Sequence, residues 1–135
     1  MIKREQYLEE IRPLIGKKII KVLTGIRRCG KSTLLKQIKD ELIEMGISEG
    51  NILEINFDSM HYQDISDKDD LTEYVSNFIK NPNEKYYLFF DEIQNVEGWE
   101  RSLSGFIVDF DVDIYVTVSV QNCHDKLYSN SLLLI

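Results

Sequence analysis

Only two cysteines, Cys29 and Cys123, occur in the 135 residues. They are too few and too far apart for a disulfide scaffold or a zinc site. No apolar run approaches the roughly 18 residues of a membrane span, which excludes an integral membrane protein. The opening MIKREQYLEEIRPLIG carries charge throughout and lacks the apolar segment and cleavage site of a secretory signal. Internal repeats, low-complexity stretches and domain linkers are lacking too. The two histidines, His61 and His124, have no partner at metal-ligand spacing. These absences predict a cytoplasmic, reduced, soluble chain, and its length fits one domain of the usual ~100–200 residues.

Charge is present but unevenly spread. Residues 1–39 hold 11 Lys/Arg against 3 Asp/Glu, a net of +8, whereas residues 40–135 hold 5 against 20, a net of −15. The acidic body, with an isoelectric point near 4.8, gives no indication of nucleic-acid binding, which relies on neutralising phosphates with Lys and Arg. The basic first third can serve one small polyanion or simply solvate the surface.

Short apolar runs alternate with helical periodicity, the pattern of an α/β domain with a mostly parallel sheet. Helices are predicted over 4–14, 31–45, 70–79 and 98–110. Strands are predicted over 18–24 (KIIKVLT), 51–57 (NILEINF), 86–90 (YYLFF) and 112–118. The third strand has no alternation, as expected when both faces are buried.

Between the first strand and the second helix, Gly25-Ile26-Arg27-Arg28-Cys29-Gly30-Lys31-Ser32 fits G-x-x-x-x-G-K-[ST] at every fixed position. Glycines allow a tight loop whose N–H groups converge on phosphate oxygens at a helix N-terminus. Lys31 would reach the β- and γ-phosphates, and the Ser32 hydroxyl would coordinate Mg²⁺. Arg27 and Arg28 either touch phosphates or are solvated. Cys29 is either filler or a thiol activated by the loop.

The third strand ends in Asp91-Glu92, at the sheet edge where open α/β sheets bind ligands. Asp91 would hold Mg²⁺ opposite Ser32, and Glu92 would deprotonate the water attacking the γ-phosphate. The strand at 51–57 lies between these two motifs, which suits a hydrolase. The expected order places strand 4 between strands 1 and 3, with strand 2 outermost. Thr117 would then stand between the loop and the acidic pair, as a γ-phosphate sensor or as an ordinary strand residue. Asp58 is either a Mg²⁺-shell carboxylate or a strand-end cap.

The runs LTGIRRCGKSTLLKQI, LEINFDS, YLFFDEIQNVEGWE and FDVDIYVT resemble the N-terminal part of prokaryotic AAA+-like P-loop ATPases. In that family, a restriction-endonuclease-like C-terminal domain usually follows. The resemblance implies a three-layer P-loop NTPase sandwich and an ATP hydrolase. Gly25 to Thr33 (Gly25, Ile26, Arg27, Arg28, Cys29, Gly30, Lys31, Ser32 and Thr33) would then bind ATP and Mg²⁺ as Walker A, with Asp91 and Glu92 as Walker B. Gln94 and Trp99 match the family pattern, Trp99 as a packing anchor.

The likeness as read from these runs stops at Thr117, where Thr-Val-Ser-Val replaces the family's Thr-Gly-Ser-Asn. The expectation is therefore an ATPase core over 1–117, truncated after the fourth strand. The divergent tail over 118–135 would be a replacement ending that leaves strand 1 as an open edge. The competing arrangement folds the terminal LLLI beside strand 1. With the arginine finger outside this core, Mg-ATP binding is expected, and hydrolysis would be weak or completed by a homo-oligomer or partner protein. The alternative function is a nucleotide-insensitive interaction remnant.

Overall fold

A computed structural model describes residues 4–26, 30–120 and 131–134. Among them a central sheet takes the order β2-β3-β4-β1-β5. The strands are β1 (Lys21–Ile26), β2 (Ile52–Asn56), β3 (Tyr86–Asp91), β4 (Val112–Val120) and β5 (Ser131–Leu134). The first four are parallel, and β4 separates β1 from β3 as the sequence predicts.

Four α-helices among the described residues cover the sheet: α1 (Arg4–Ile11), α2 (Lys31–Glu44), α3 (Lys68–Phe78) and α4 (Trp99–Asp109). Alternation along β3 shows how the layers form, because successive side chains leave a strand on opposite faces. Tyr86, Leu88 and Phe90 join Leu71, Val75, Leu103 and Phe106 in the core under α3 and α4. Tyr87 and Phe89 join Leu8, Ile11, Leu34, Leu35, Ile38 and Leu42 under α1 and α2. All six residues of β3 are buried, which explains a strand with no polar alternation. Trp99 packs at the margin of the α3–α4 core, consistent with a packing anchor.

The sheet extends beyond residue 117. β4 runs to Val120, and β5 pairs antiparallel with β1, placing Leu132 beside Leu23 and Leu133 beside Val22. The edge of β1 expected to stay open is therefore covered, in the competing arrangement read from LLLI. The physical reason is that β1 would otherwise present a row of unpaired N–H and C=O groups.

At the amino ends of β1 and β4 lies a buried polar cluster that no local sequence pattern reveals. Lys21 and Asp113 form a fully buried ion pair. Lys21 Nζ also donates to the Lys17 carbonyl at 2.8 Å. Asp113 accepts from the Gly16 N–H at 2.8 Å and from the Tyr115 hydroxyl at 2.6 Å. Tyr115 stacks on Phe89 with centroids 4.8 Å apart. Desolvation lowers the pKa of Lys21, opposed by Asp113, while burial and the same carboxylate raise that of Tyr115. The cluster ties the turn after α1 to the start of β4, at the opposite end of the strands from the acidic pair. Among the described residues, no helix is long and apolar enough to cross a membrane.

Candidate functional site

β1 carries Gly25 and Ile26 as its last two residues, two positions farther than predicted, with Gly25 beside Ser119. Arg27, Arg28 and Cys29 lie outside the described residues. Gly30 follows as the N-cap of α2 with φ +96. A Cβ there would meet nothing within 4 Å, so the left-handed backbone and not space demands glycine. The first-turn N–H groups of α2 have no partner inside the helix and carry the positive end of its dipole.

Lys31 is buried, not solvent-open as its place in a loop suggests: it opens α2 and is 6% exposed. Its ammonium donates to the Gly25 carbonyl at 3.2 Å. Ser32 and Thr33 are exposed on the first turn. Gly30, Lys31, Ser32, Thr33 and Glu92 line one cleft of about 290 Å³.

The acidic pair meets the first turn of α2. The Ser32 hydroxyl donates to Asp91 Oδ2 at 2.5 Å, and the Thr117 hydroxyl donates to Asp91 Oδ1, also at 2.5 Å. The Glu92 N–H in turn donates to Thr117 Oγ1 at 2.8 Å. Thr117 thus contacts both carboxylate residues, although it is absent from the cleft's lining.

In an extended strand, consecutive residues such as Asp91 and Glu92 would point to opposite faces. Glu92 instead has φ 59 and ψ 49, and among the described residues it is the one non-glycine with positive φ. That turn ends β3 and brings both carboxylates onto β4 residues of one face, Thr117 and Ser119. The Ser119 hydroxyl donates to Glu92 Oε2 at 2.8 Å, and Gln94 Nε2 donates to Glu92 Oε1 at 2.8 Å. The Ser119 backbone N–H donates to Gln94 Oε1 at 3.2 Å, closing a ring of three residues.

Ser119 enters the sequence reading only within the run Thr-Val-Ser-Val that starts at Thr117, and Gln94 only by family pattern. Their two-residue spacings, 117 to 119 and 92 to 94, were the available signals. Asp58 accepts from Asn95 Nδ2 at 2.9 Å, tying the loop after β2 to the turn after Glu92. It does not line the cleft. His61 is exposed, and His124 lies outside the described residues.

Comparison with known proteins agrees with this architecture. An uncharacterised protein of Haemophilus influenzae is 41% identical over 122 residues, covering 90% of this chain and 30% of that protein. An uncharacterised protein of Methanocaldococcus jannaschii is 32% identical over 118 residues, covering 84% of this chain and 24% of that protein. The chain thus spans less than a third of the length of either relative. A family model described as AAA domain matches residues 17–132, continuing past Thr117 where the likeness read from motifs stops. With residues 17–132 matched, most of its length, the chain belongs to the AAA domain family of nucleotide-binding, ATPase-like domains.

Proposed function

We propose that this domain binds Mg-ATP in the cleft at the N-terminus of α2 and carries the residues that hydrolyse it. The observation that carries the reading is the meeting of Ser32 with Asp91, from elements 59 residues apart, beside that cleft. A hydroxyl and a carboxylate are hard oxygen donors, as Mg²⁺ prefers. A pair of protein oxygens suits an ion that keeps its waters and shares substrate phosphates. Ser32 and Asp91 would hold it, and the bound ion would supply charge neutralisation on the phosphate oxygens.

The remaining roles fall to the chain's own groups. Lys31 exchanges its Gly25 carbonyl for the β- and γ-phosphates, and the first N–H groups of α2 cradle phosphate oxygens. Glu92, at the cleft wall, takes the proton of the attacking water at a carboxylate oxygen. Thr117 fixes Asp91 and the Glu92 backbone, which makes it a support for the acidic pair; any contact with the γ-phosphate is an additional role. Turnover in this domain is slow unless a second copy or a partner protein supplies further positive charge to the transition state.

Titration with Mg-ATP, followed by calorimetry and by the thermal unfolding midpoint, tests the reading. Saturable, Mg²⁺-dependent binding is expected. No heat and no shift up to millimolar Mg-ATP would instead favour a nucleotide-insensitive interaction module.

A further inference from the structure

We infer that Gln94 and Ser119 are positioning residues for Glu92, a two-armed clamp that fixes its carboxylate at the cleft wall. The inference rests on the reading of Glu92 as the base. Glu92 sits in a left-handed conformation that side chains rarely adopt, so its backbone stores strain that surrounding contacts must hold. Three contacts do so: Thr117 accepts from its N–H, Ser119 donates to Oε2 and Gln94 donates to Oε1.

The clamp is closed on itself, because the Ser119 N–H holds the Gln94 carbonyl oxygen. That bond fixes which way the Gln94 amide faces, leaving its NH₂ for the carboxylate. Gln94 lies in the 3-10 turn that follows Glu92 (Ile93–Asn95), so one arm is local. The other arm comes from β4, on the same face as Thr117. β4 thereby positions two consecutive acidic residues with two hydroxyls: Thr117 for Asp91 and Ser119 for Glu92. Ser119 is only 8% exposed, so water is a poor substitute for its hydroxyl. A carboxylate held from two sides cannot swing among rotamers, which is what an attacking water needs of its base.

A double-mutant cycle on the unliganded full chain tests the clamp without any turnover. Glu92→Ala, Ser119→Ala and their combination are compared by denaturant unfolding. The expected result is non-additivity, a coupling of about fivefold or more in the unfolding equilibrium constant. Additive effects would overturn the clamp.

The Gln94 side-chain amide gives a second signature by nuclear magnetic resonance. Its ¹H–¹⁵N signals should move in Ser119→Ala and Glu92→Ala and return in Ser119→Thr, which keeps the hydroxyl. Signals that stay put in both alanine variants would count against the clamp.

In steady-state phosphate release, Ser119→Ala should lower kcat with KM for Mg-ATP unchanged, and Ser119→Thr should recover part of the loss. If Ser119→Ala turns over like the parent while Glu92→Gln is dead, the clamp positions nothing that matters. If the parent binds no Mg-ATP, the proposed function fails, and the cycle still decides whether the two arms hold Glu92.

Discussion

Ser32 donates its hydroxyl to Asp91 across 2.5 Å, joining the first turn of α2 to the end of β3. Two oxygen donors this close can share one cation, and Asp91 brings the charge. Asp91→Asn keeps the shape and removes that charge. The variant should still bind ATP, but Mg²⁺ should no longer strengthen the binding. Calorimetry with and without excess chelator should give the same dissociation constant for the variant and different ones for the parent. A variant with the parent's full Mg²⁺ dependence would remove Asp91 from the metal site.

Lys31→Ala tests the loop. Lys31 is buried against the Gly25 carbonyl, but it lines an open cleft where water can take over that acceptor. The unfolding midpoint should therefore change little. Affinity for Mg-ATP should fall about 10- to 150-fold, from the loss of ~1.5–3 kcal/mol in charge-assisted hydrogen bonding. Equal affinity in parent and variant would sink the assignment of this loop to phosphate.

Glu92→Gln separates binding from chemistry. Asp91 and Lys31 stay in place, so the dissociation constant for Mg-ATP should stay within a factor of a few. Phosphate release should fall by roughly 10²–10⁴-fold, the usual loss on removing a general base. Release at the parent's rate would show that another group, or water alone, accepts the proton.

The sequence made the strand-loop-helix unit legible because local pattern and motif agree there. The glycines and Lys31-Ser32 follow one apolar strand and open one amphipathic helix. β3 was equally plain, since YYLFF has no polar residue to hide a face. The turn at Glu92 was not legible: nothing in Asp-Glu-Ile tells which of two consecutive carboxylates leaves the extended conformation. That is set by Thr117 and Ser119 on a neighbouring strand. The Lys21–Asp113–Tyr115 cluster was hidden for a similar reason, because a lysine opening a strand reads as solvated until its partner across the sheet is known.

That cluster predicts an alkaline response. Burial first, and then the Asp113 carboxylate, raise the Tyr115 phenol above its usual value of about 10. The unfolded chain therefore loses this proton at lower pH than the folded one. The stabilisation is complete below about pH 10 and is lost as pH rises from there towards the folded value. Tyr115→Phe removes this contribution, so stability should fall less steeply above pH 10 than in the parent. Tyr87, raised by burial, keeps a residual slope in both proteins. At neutral pH the variant should be less stable by about 1.5–3 kcal/mol, for the hydrogen bond lost to Asp113. Urea unfolding from pH 7 to 11 measures both effects, and parallel curves for the two proteins would refute the assignment.

The antiparallel pairing of β5 with β1 makes two neighbouring leucines unequal. In an antiparallel pair, successive N–H groups along a strand point to opposite sides. Leu132 and Leu133, beside Leu23 and Val22, therefore cannot both donate to β1. Proline removes one N–H and is tolerated on the outer side of an edge strand far better than on the paired side. Leu132→Pro and Leu133→Pro should consequently differ in stability, one costing about 1–3 kcal/mol more than the other. The more damaging variant should also associate as concentration rises, because the exposed edge of β1 is a template for other chains. Denaturant unfolding and light scattering on the two variants provide the measurement. If both prolines cost the same and neither variant associates, β5 does not close the edge of the sheet.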